Sequence, residues 1–135
     1  MCHACFSKDD LIGKIVLPGN PMSTQSIYGH RAVGKTVVKY VVDNAKKLKY
    51  IYSIVARRQR NNQKLPLIDY KVAVVIDIYY GNLRSWDWDN MHKIAQDSLI
   101  GIVLEDDKLI FKATVEKLYD KANPRYEFTI YKYKN

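Results

Sequence analysis

The feature that most constrains the fold is the stretch Asp69–Tyr80, which reads DYKVAVVIDIYY. Its β-branched aliphatic residues and tyrosines favour extended backbone, so it predicts a strand. Similar but shorter stretches predict further strands at Leu11–Leu17, Lys35–Val42, Leu109–Leu118 and Arg125–Tyr133. We therefore expect the chain to fold around a β-sheet.

Two segments have the pattern of helices. From Asp43, a capping residue, to about Arg60, apolar residues recur at steps of three and four, which is typical of a helix with one buried face. These apolar residues are Ala45, Leu48, Ile51, Tyr52 and Val55. A shorter helix is expected from Asn90 to about Ile100, where Gly101 ends it.

The order of the elements predicts the fold class. Prolines and glycines indicate an irregular loop over Met22–Gly34, and Asp120–Pro124 is typical of a hairpin turn between the last two strands. Together the elements predict an α+β fold, a small, mostly antiparallel or mixed sheet with two main helices on one face. We assign residues 1–135 to a single domain, with residues 1–10 as an N-terminal extension.

Charge is unevenly distributed along the chain. Lys and Arg number 22 against 14 Asp and Glu, a formal net charge of +8. Between Asp87 and Asp107, however, six acidic residues accompany one lysine, which leaves +13 on the rest of the chain. A basic protein of this size suggests a polyanionic partner such as nucleic acid. A divalent cation at the acidic segment is the simplest arrangement that uses both signs of charge.

The acidic segment has the residues of a metal-dependent nuclease. In extended backbone, Asp87 and Asp89 point to the same side, and Lys93 follows Asp89 by one helical turn. The predicted helix can then return the chain and bring Glu105-Asp106-Asp107 close. Clustered carboxylates bind Mg²⁺, and an adjacent lysine suits phosphodiester cleavage. Taken singly, the aspartates also fit helix caps or a solvated turn, and the lysine a solvated charge.

The same residues resemble a known family. Asp87-Trp88-Asp89-Asn90-x-x-Lys93, followed by Asp97-Ser98-Leu99-x-Gly101-x-x-x-Glu105-Asp106-Asp107, is similar to the signature of RusA-type Holliday junction resolvases. Leu17-Pro18-Gly19-Asn20-Pro21 resembles the family's N-terminal loop, and Val115-Glu116-Lys117 resembles part of its final hairpin. The resemblance covers roughly residues 12 to 133.

This resemblance implies specific roles. Asp87, Asp89 and Asp107 are the expected Mg²⁺ ligands, with Mn²⁺ as a substitute, and Asp106 is a neighbouring acid or alternative ligand. Lys93 is the expected catalytic lysine. The implied enzyme is a homodimer that cuts four-way junction DNA and leaves 5′-phosphate and 3′-hydroxyl ends. Two symmetric cuts suit two sites related by a twofold axis.

Two other functions remain open from the sequence. One is a less selective nuclease that acts on branched or flap DNA. The other is a DNA-binding protein without catalysis, whose carboxylates only support the fold. The three aspartates with Lys93 argue against the second function, because a binding module gains nothing from acids placed near phosphates.

Several further residues are candidates for contacts. Basic side chains that fit phosphate contacts are Arg31, Lys35, Lys39, Lys46, Lys47, Arg57, Arg58 and Arg60. Trp86 and Trp88 either stack on bases or pack in the core, and His92 is a weaker phosphate contact. Cys2-x-x-Cys5 lacks the further ligands of a zinc site. We predict neither a secretory signal nor a membrane span. We expect the protein to act in the cytoplasm of a bacterial host cell and to be encoded by a phage or prophage.

Overall fold

A computed structural model describes residues 6–19, 28–33, 36–41, 43–81 and 93–134. Its strands are β1 (Leu11–Pro18), β2 (Tyr28–Val33), β3 (Thr36–Val41), β4 (Val72–Tyr80), β5 (Ile110–Tyr119) and β6 (Arg125–Lys132). Its helices are α1 (Asp43–Asn62) and α2 (Lys93–Leu99). Within these ranges, no helix is long and apolar enough to cross a membrane.

Four strands form a mixed sheet in the order β1-β6-β4-β5. β6 runs antiparallel to both β1 and β4, whereas β4 and β5 are parallel. The buried run VAVVIDI of Asp69–Tyr80 becomes the central part of β4, which has a neighbour on each side. The mostly antiparallel sheet and two helices confirm the predicted α+β class.

The predicted hairpin at Asp120–Pro124 is wrong. β5 and β6 are not neighbours, because β4 lies between them and pairs with both. The Asp120–Pro124 connection therefore carries the chain past the end of β4. A short polar turn fits either path, and only the pairing of the strands decides between them.

The predicted loop over Met22–Gly34 is wrong for its second half. Tyr28–Val33 is β2, which pairs antiparallel with β3 from Tyr28↔Val41 to Val33↔Thr36. The β-branched sequence of β3 offers a complete row of backbone partners. This pairing outweighs the weak strand propensity of glycine and histidine in YGHRAV.

Both helices contribute to one core on one face of the sheet. Buried Tyr52 and Ala56 of α1, with Ile94, Ala95 and Leu99 of α2, belong to one cluster with the alternate β4 residues Val72, Val74, Ile76 and Ile78. The helical period of α1 is confirmed, but Ile51, expected on the buried face, is half exposed. The buried side of α1 is centred on Tyr52 and Ala56, which turns Ile51 outward.

The N-terminal extension packs on the opposite face of the sheet. The ring of Phe6 stacks on Tyr131 with 4.6 Å between centroids, next to Ala73 and Val75. On the same face, Glu127 is buried and forms ion pairs with Lys14 and Arg125. Burial opposes ionisation of Glu127, but these two partners outweigh it and lower the pKa of the carboxyl.

The exposed edge of β1 is covered by side chains of α1. Gln59 accepts a hydrogen bond from the Val16 amide at 2.7 Å and donates one to the Val16 carbonyl. Gln63 makes the same pair of bonds with Lys14. Two glutamine amides thus occupy backbone groups that a further strand would otherwise bind, which protects a sheet edge from association.

Candidate nucleic-acid and metal site

Two of the three predicted carboxylates lie outside the described residues. Asp87 and Asp89, together with Trp86, Trp88 and His92, fall in segment 82–92. This segment joins the end of β4 to the start of α2. Their roles remain predictions.

Helix α2 presents Lys93 and Asp97 outward. Ile94, Ala95, Ser98 and Leu99 are buried, which fixes the orientation of the short helix. Lys93 and Asp97, four residues apart, lie on the remaining face, and Lys93 Nζ is 3.3 Å from Asp97 Oδ2. The Lys93 side chain is 50% exposed and the Asp97 side chain 33% exposed, so both remain accessible to a substrate.

The turn after α2 is fixed by backbone hydrogen bonds. The Leu99 carbonyl accepts bonds from the amides of Ile102, Val103 and Leu104. Gly101 has φ +83°, a conformation that glycine adopts without strain. At the end of the turn, the Ile68 amide donates to the Val103 carbonyl and the Ile68 carbonyl accepts from the Glu105 amide. This packing holds the chain that leads to the Asp106-Asp107 pair.

Asp106 and Asp107 have different local roles. The Asp106 side chain accepts a hydrogen bond from the Lys108 amide at 3.1 Å and caps the short 3-10 helix Asp107–Leu109. That backbone bond is the main reason the pKa of Asp106 is lowered. Asp107 is exposed at the first residue of the turn. The capping role of Asp106 favours Asp107 as the metal ligand of the pair.

The parallel pairing of β4 and β5 limits how the acidic residues meet. Val72 pairs with Ile110 and Tyr80 with Tyr119, so Asp107 lies near the start of β4. Segment 82–92 departs from the other end, about 26 Å away for strands of this length. Helix α2 spans about 10 Å of the return path. Asp107 and Gly81, the last described residue before this segment, thus lie toward opposite ends of the β4–β5 pair.

The donor chemistry of the predicted site fits Mg²⁺. Aspartate oxygens are the hard ligands this ion prefers, and exposed Asp107 leaves room for bound water and phosphate. In the described part of the chain, no group of three Asp, Glu, His or Cys residues gathers in metal-binding geometry. Of the predicted ligands, the described residues include Asp107 and its neighbour Asp106, whereas Asp87 and Asp89 belong to segment 82–92.

The predicted DNA contacts divide between α1 and the β2–β3 pair. Lys46, Lys47, Arg57 and Arg58 are exposed on α1, where they form no ion pair with another described residue. Arg60 is partly buried there, and its Nε donates to the Leu65 carbonyl. Arg31 lies in β2 and Lys39 in β3, whereas Lys35 lies outside the described residues. Of the predicted DNA contacts, the four whose side chains are described as exposed thus all lie on α1.

A groove between α1 and α2 adds Lys49 and Tyr50, which were not among the predicted site residues. Lys46, Lys49 and Tyr50 of α1 line it opposite Asp97 of α2, and its volume is about 480 Å³. Tyr50 is 68% exposed, an unusual position for a large ring. The spacing of residues 46, 49 and 50 on one helical face was the available signal. Packing of α2 beside this face creates the groove.

Comparison with known families agrees with the site motif. A search of curated proteins finds no match to the chain. The sequence model of the family described as Endodeoxyribonuclease RusA matches residues 18–131 of the 135 residues. This range contains the whole Asp87–Asp107 segment, both helices and the described strands, except that it includes only the last residue of β1 and omits the final residue of β6. The chain therefore belongs to the RusA family of endodeoxyribonucleases.

Proposed function

We propose that this endodeoxyribonuclease resolves four-way DNA junctions by Mg²⁺-dependent hydrolysis of backbone phosphodiesters. The observation that carries the proposal is the family match over residues 18–131, which includes the complete acidic motif. The exposed Lys93 and Asp107 and the cationic face of α1 support it. Fold and charge alone would fit a binding protein equally well.

Each residue of the motif has a distinct role in this proposal. Asp87, Asp89 and Asp107 hold the cation, while Asp106 keeps the turn that carries Asp107 in place. When bound, Mg²⁺ activates water and offsets negative charge at the phosphate. The Lys93 ammonium donates a hydrogen bond to the phosphate or to the leaving 3′ oxygen, where negative charge develops. Lys46, Lys47, Arg57 and Arg58 contact DNA phosphates away from the reacting group.

The proposal includes a homodimer. A junction is resolved by two cuts in strands of like polarity, and a twofold axis places two identical sites at the two strands. Each protomer then needs only one metal site. The products carry 5′-phosphate and 3′-hydroxyl ends.

The direct test compares substrates and metal on one gel. A labelled synthetic four-way junction, a flap and a linear duplex are incubated with the protein, in Mg²⁺ or in EDTA. We expect symmetric cuts in the junction only, and only with Mg²⁺. Equal cutting of the flap would favour the less selective nuclease, and binding without cutting would favour the non-catalytic protein.

The variant Asp89→Asn tests the metal ligands in the same assay. It keeps the shape of the side chain and removes the charge that a hard cation requires. Cleavage should fall by several orders of magnitude, while junction binding in EDTA holds or tightens because repulsion of phosphates decreases. A variant that cuts at nearly the normal rate would contradict the assignment.

A further inference from the structure

We propose that Asp97 is a positioning residue that holds the Lys93 ammonium in its working orientation. The inference rests on the proposed function of Lys93 and extends it to a residue with no role assigned above. Its basis is the contact between Lys93 Nζ and Asp97 Oδ2 at 3.3 Å. A lysine side chain has four rotatable bonds, so its ammonium needs a partner to stay in one place.

The backbone around Asp97 is rigid, although its carboxylate is accessible. Its neighbour Ser98 is buried and donates a hydrogen bond to the Ala95 carbonyl, and Leu99 is in the core. The Asp97 carbonyl accepts a bond from the Ile100 amide. The carboxylate therefore projects from a fixed point, one helical turn after Lys93. An exposed pair of this kind adds little to stability. Its effect on orientation is separate from its small effect on folding.

The position of Asp97 in the groove predicts how its removal affects DNA binding and cleavage separately. Asp97 lines the groove between α1 and α2 together with Lys46 and Lys49, which fit DNA phosphates. A carboxylate there repels DNA unless a cation neutralises it. Removing the charge of Asp97 should therefore strengthen DNA binding. The same change releases the Lys93 ammonium from its partner. Binding and cleavage are expected to change in opposite directions.

The main variants are Asp97→Asn and Asp97→Glu. At saturating enzyme, Asp97→Asn should cut the junction about 10- to 100-fold more slowly, the usual penalty for a misplaced catalytic group. Its affinity for the junction in EDTA should be unchanged or higher. Asp97→Glu retains a carboxylate within reach of Lys93 and should recover most of the rate. An unchanged rate for Asp97→Asn, or a rate for Asp97→Glu as low as that of Asp97→Asn, would overturn the inference.

A double-mutant cycle separates positioning from a general structural effect. If Asp97 acts through Lys93, Asp97→Asn should cause no further loss of the small residual rate that a Lys93→Arg background retains. An equal loss in both backgrounds would overturn the inference. Thermal melting of each variant should match the wild-type protein, because the Asp97 side chain is one-third exposed.

The control is an equivalent ion pair on the other face of the sheet. Asp10 lies 3.0 Å from Lys134, so Asp10→Asn makes the same charge change outside the groove. Its cleavage rate should equal that of the wild-type protein, and a loss like that of Asp97→Asn would overturn the inference. Wild-type protein that fails to cut the junction would instead contradict the proposed function. A wild-type protein that cuts, with an inactive Lys93→Ala and a fully active Asp97→Asn, would contradict the positioning role alone.

Discussion

Residues of the same type in the acidic segment have different neighbours, and these neighbours limit the role that each residue can take. Asp106 uses its carboxylate to cap a turn, whereas Asp107 next to it is exposed. Lys93 likewise differs from the lysines of α1, since Lys93 pairs with Asp97 and Lys46 and Lys47 pair with no described residue. Residue type alone would give each aspartate, and each lysine, the same role.

Substitutions of Lys93 distinguish a side chain that takes part in the reaction from one that only attracts DNA. Lys93→Ala should abolish cleavage and change the free energy of unfolding by less than about 0.5 kcal/mol, because the side chain is exposed. Lys93→Arg keeps the charge but is planar, bulkier and a poor proton donor, so it should remain largely inactive. Cleavage rates at saturating enzyme decide the question, since differences in binding no longer contribute. Recovery of most activity by arginine would show that Lys93 only attracts DNA.

The contact between α1 and β1 shows how an element is fixed in place. Gln59 and Gln63 are spaced by one helical turn, which matches the separation of Val16 and Lys14 along the strand edge. Each glutamine satisfies an amide and a carbonyl that no described strand covers on this side. Gly13 allows a close approach here, because a Cβ at that position would lie 2.5 Å from Leu65 Cδ1 and 2.9 Å from Gln63 Oε1, and these side chains would have to shift. The approach of helix to strand depends on all these residues together.

Removing one of these glutamines should destabilise the fold. Gln59→Leu deletes both bonds to Val16 and leaves a partly buried amide and carbonyl without partners. We expect the free energy of unfolding to fall by about 2 kcal/mol, in the range for unsatisfied buried groups. Urea unfolding with an unchanged m-value measures this loss. Arg58→Leu, at the exposed neighbouring position, should shift it by less than about 0.5 kcal/mol. Equal shifts in the two variants would contradict the role of Gln59.

At the scale of the whole molecule, charge and family together define the partner. The net charge of +8 is concentrated outside the acidic segment, and exposed cations of α1 carry part of it. Such a surface attracts DNA without reading its sequence. In the proposed homodimer, selectivity for a junction comes from the spacing of the two sites.

The proposed dimer predicts a measurable mass. Light scattering at micromolar concentration should give twice the 15.7 kDa of one chain, because two coordinated cuts require two sites. If one of the two strands that are normally cut carries an uncleavable linkage, a junction nicked only in the other strand should accumulate. A monomer that resolves the intact junction at full rate would contradict the dimer.

The sequence by itself determined most elements of this protein and its family. The strand at Asp69–Tyr80 and the helix at Asp43–Arg60 were predictable because β-branched runs and helical periodicity are local signals. The spacing of the acidic motif likewise indicated the family that the comparison confirms.

Tertiary structure decided what local signals do not contain. β2 forms within a predicted loop because β3 pairs with it, and β4 separates β5 from β6 where a hairpin was expected. Ile51 is exposed because the contacts of Tyr52 and Ala56 set the rotation of α1. The groove that brings Asp97 near Lys46 also depends on how α1 and α2 pack. The physical reason is common to all four. Each depends on contacts between residues distant in the chain, whose partners are fixed only when the sheet and helices assemble.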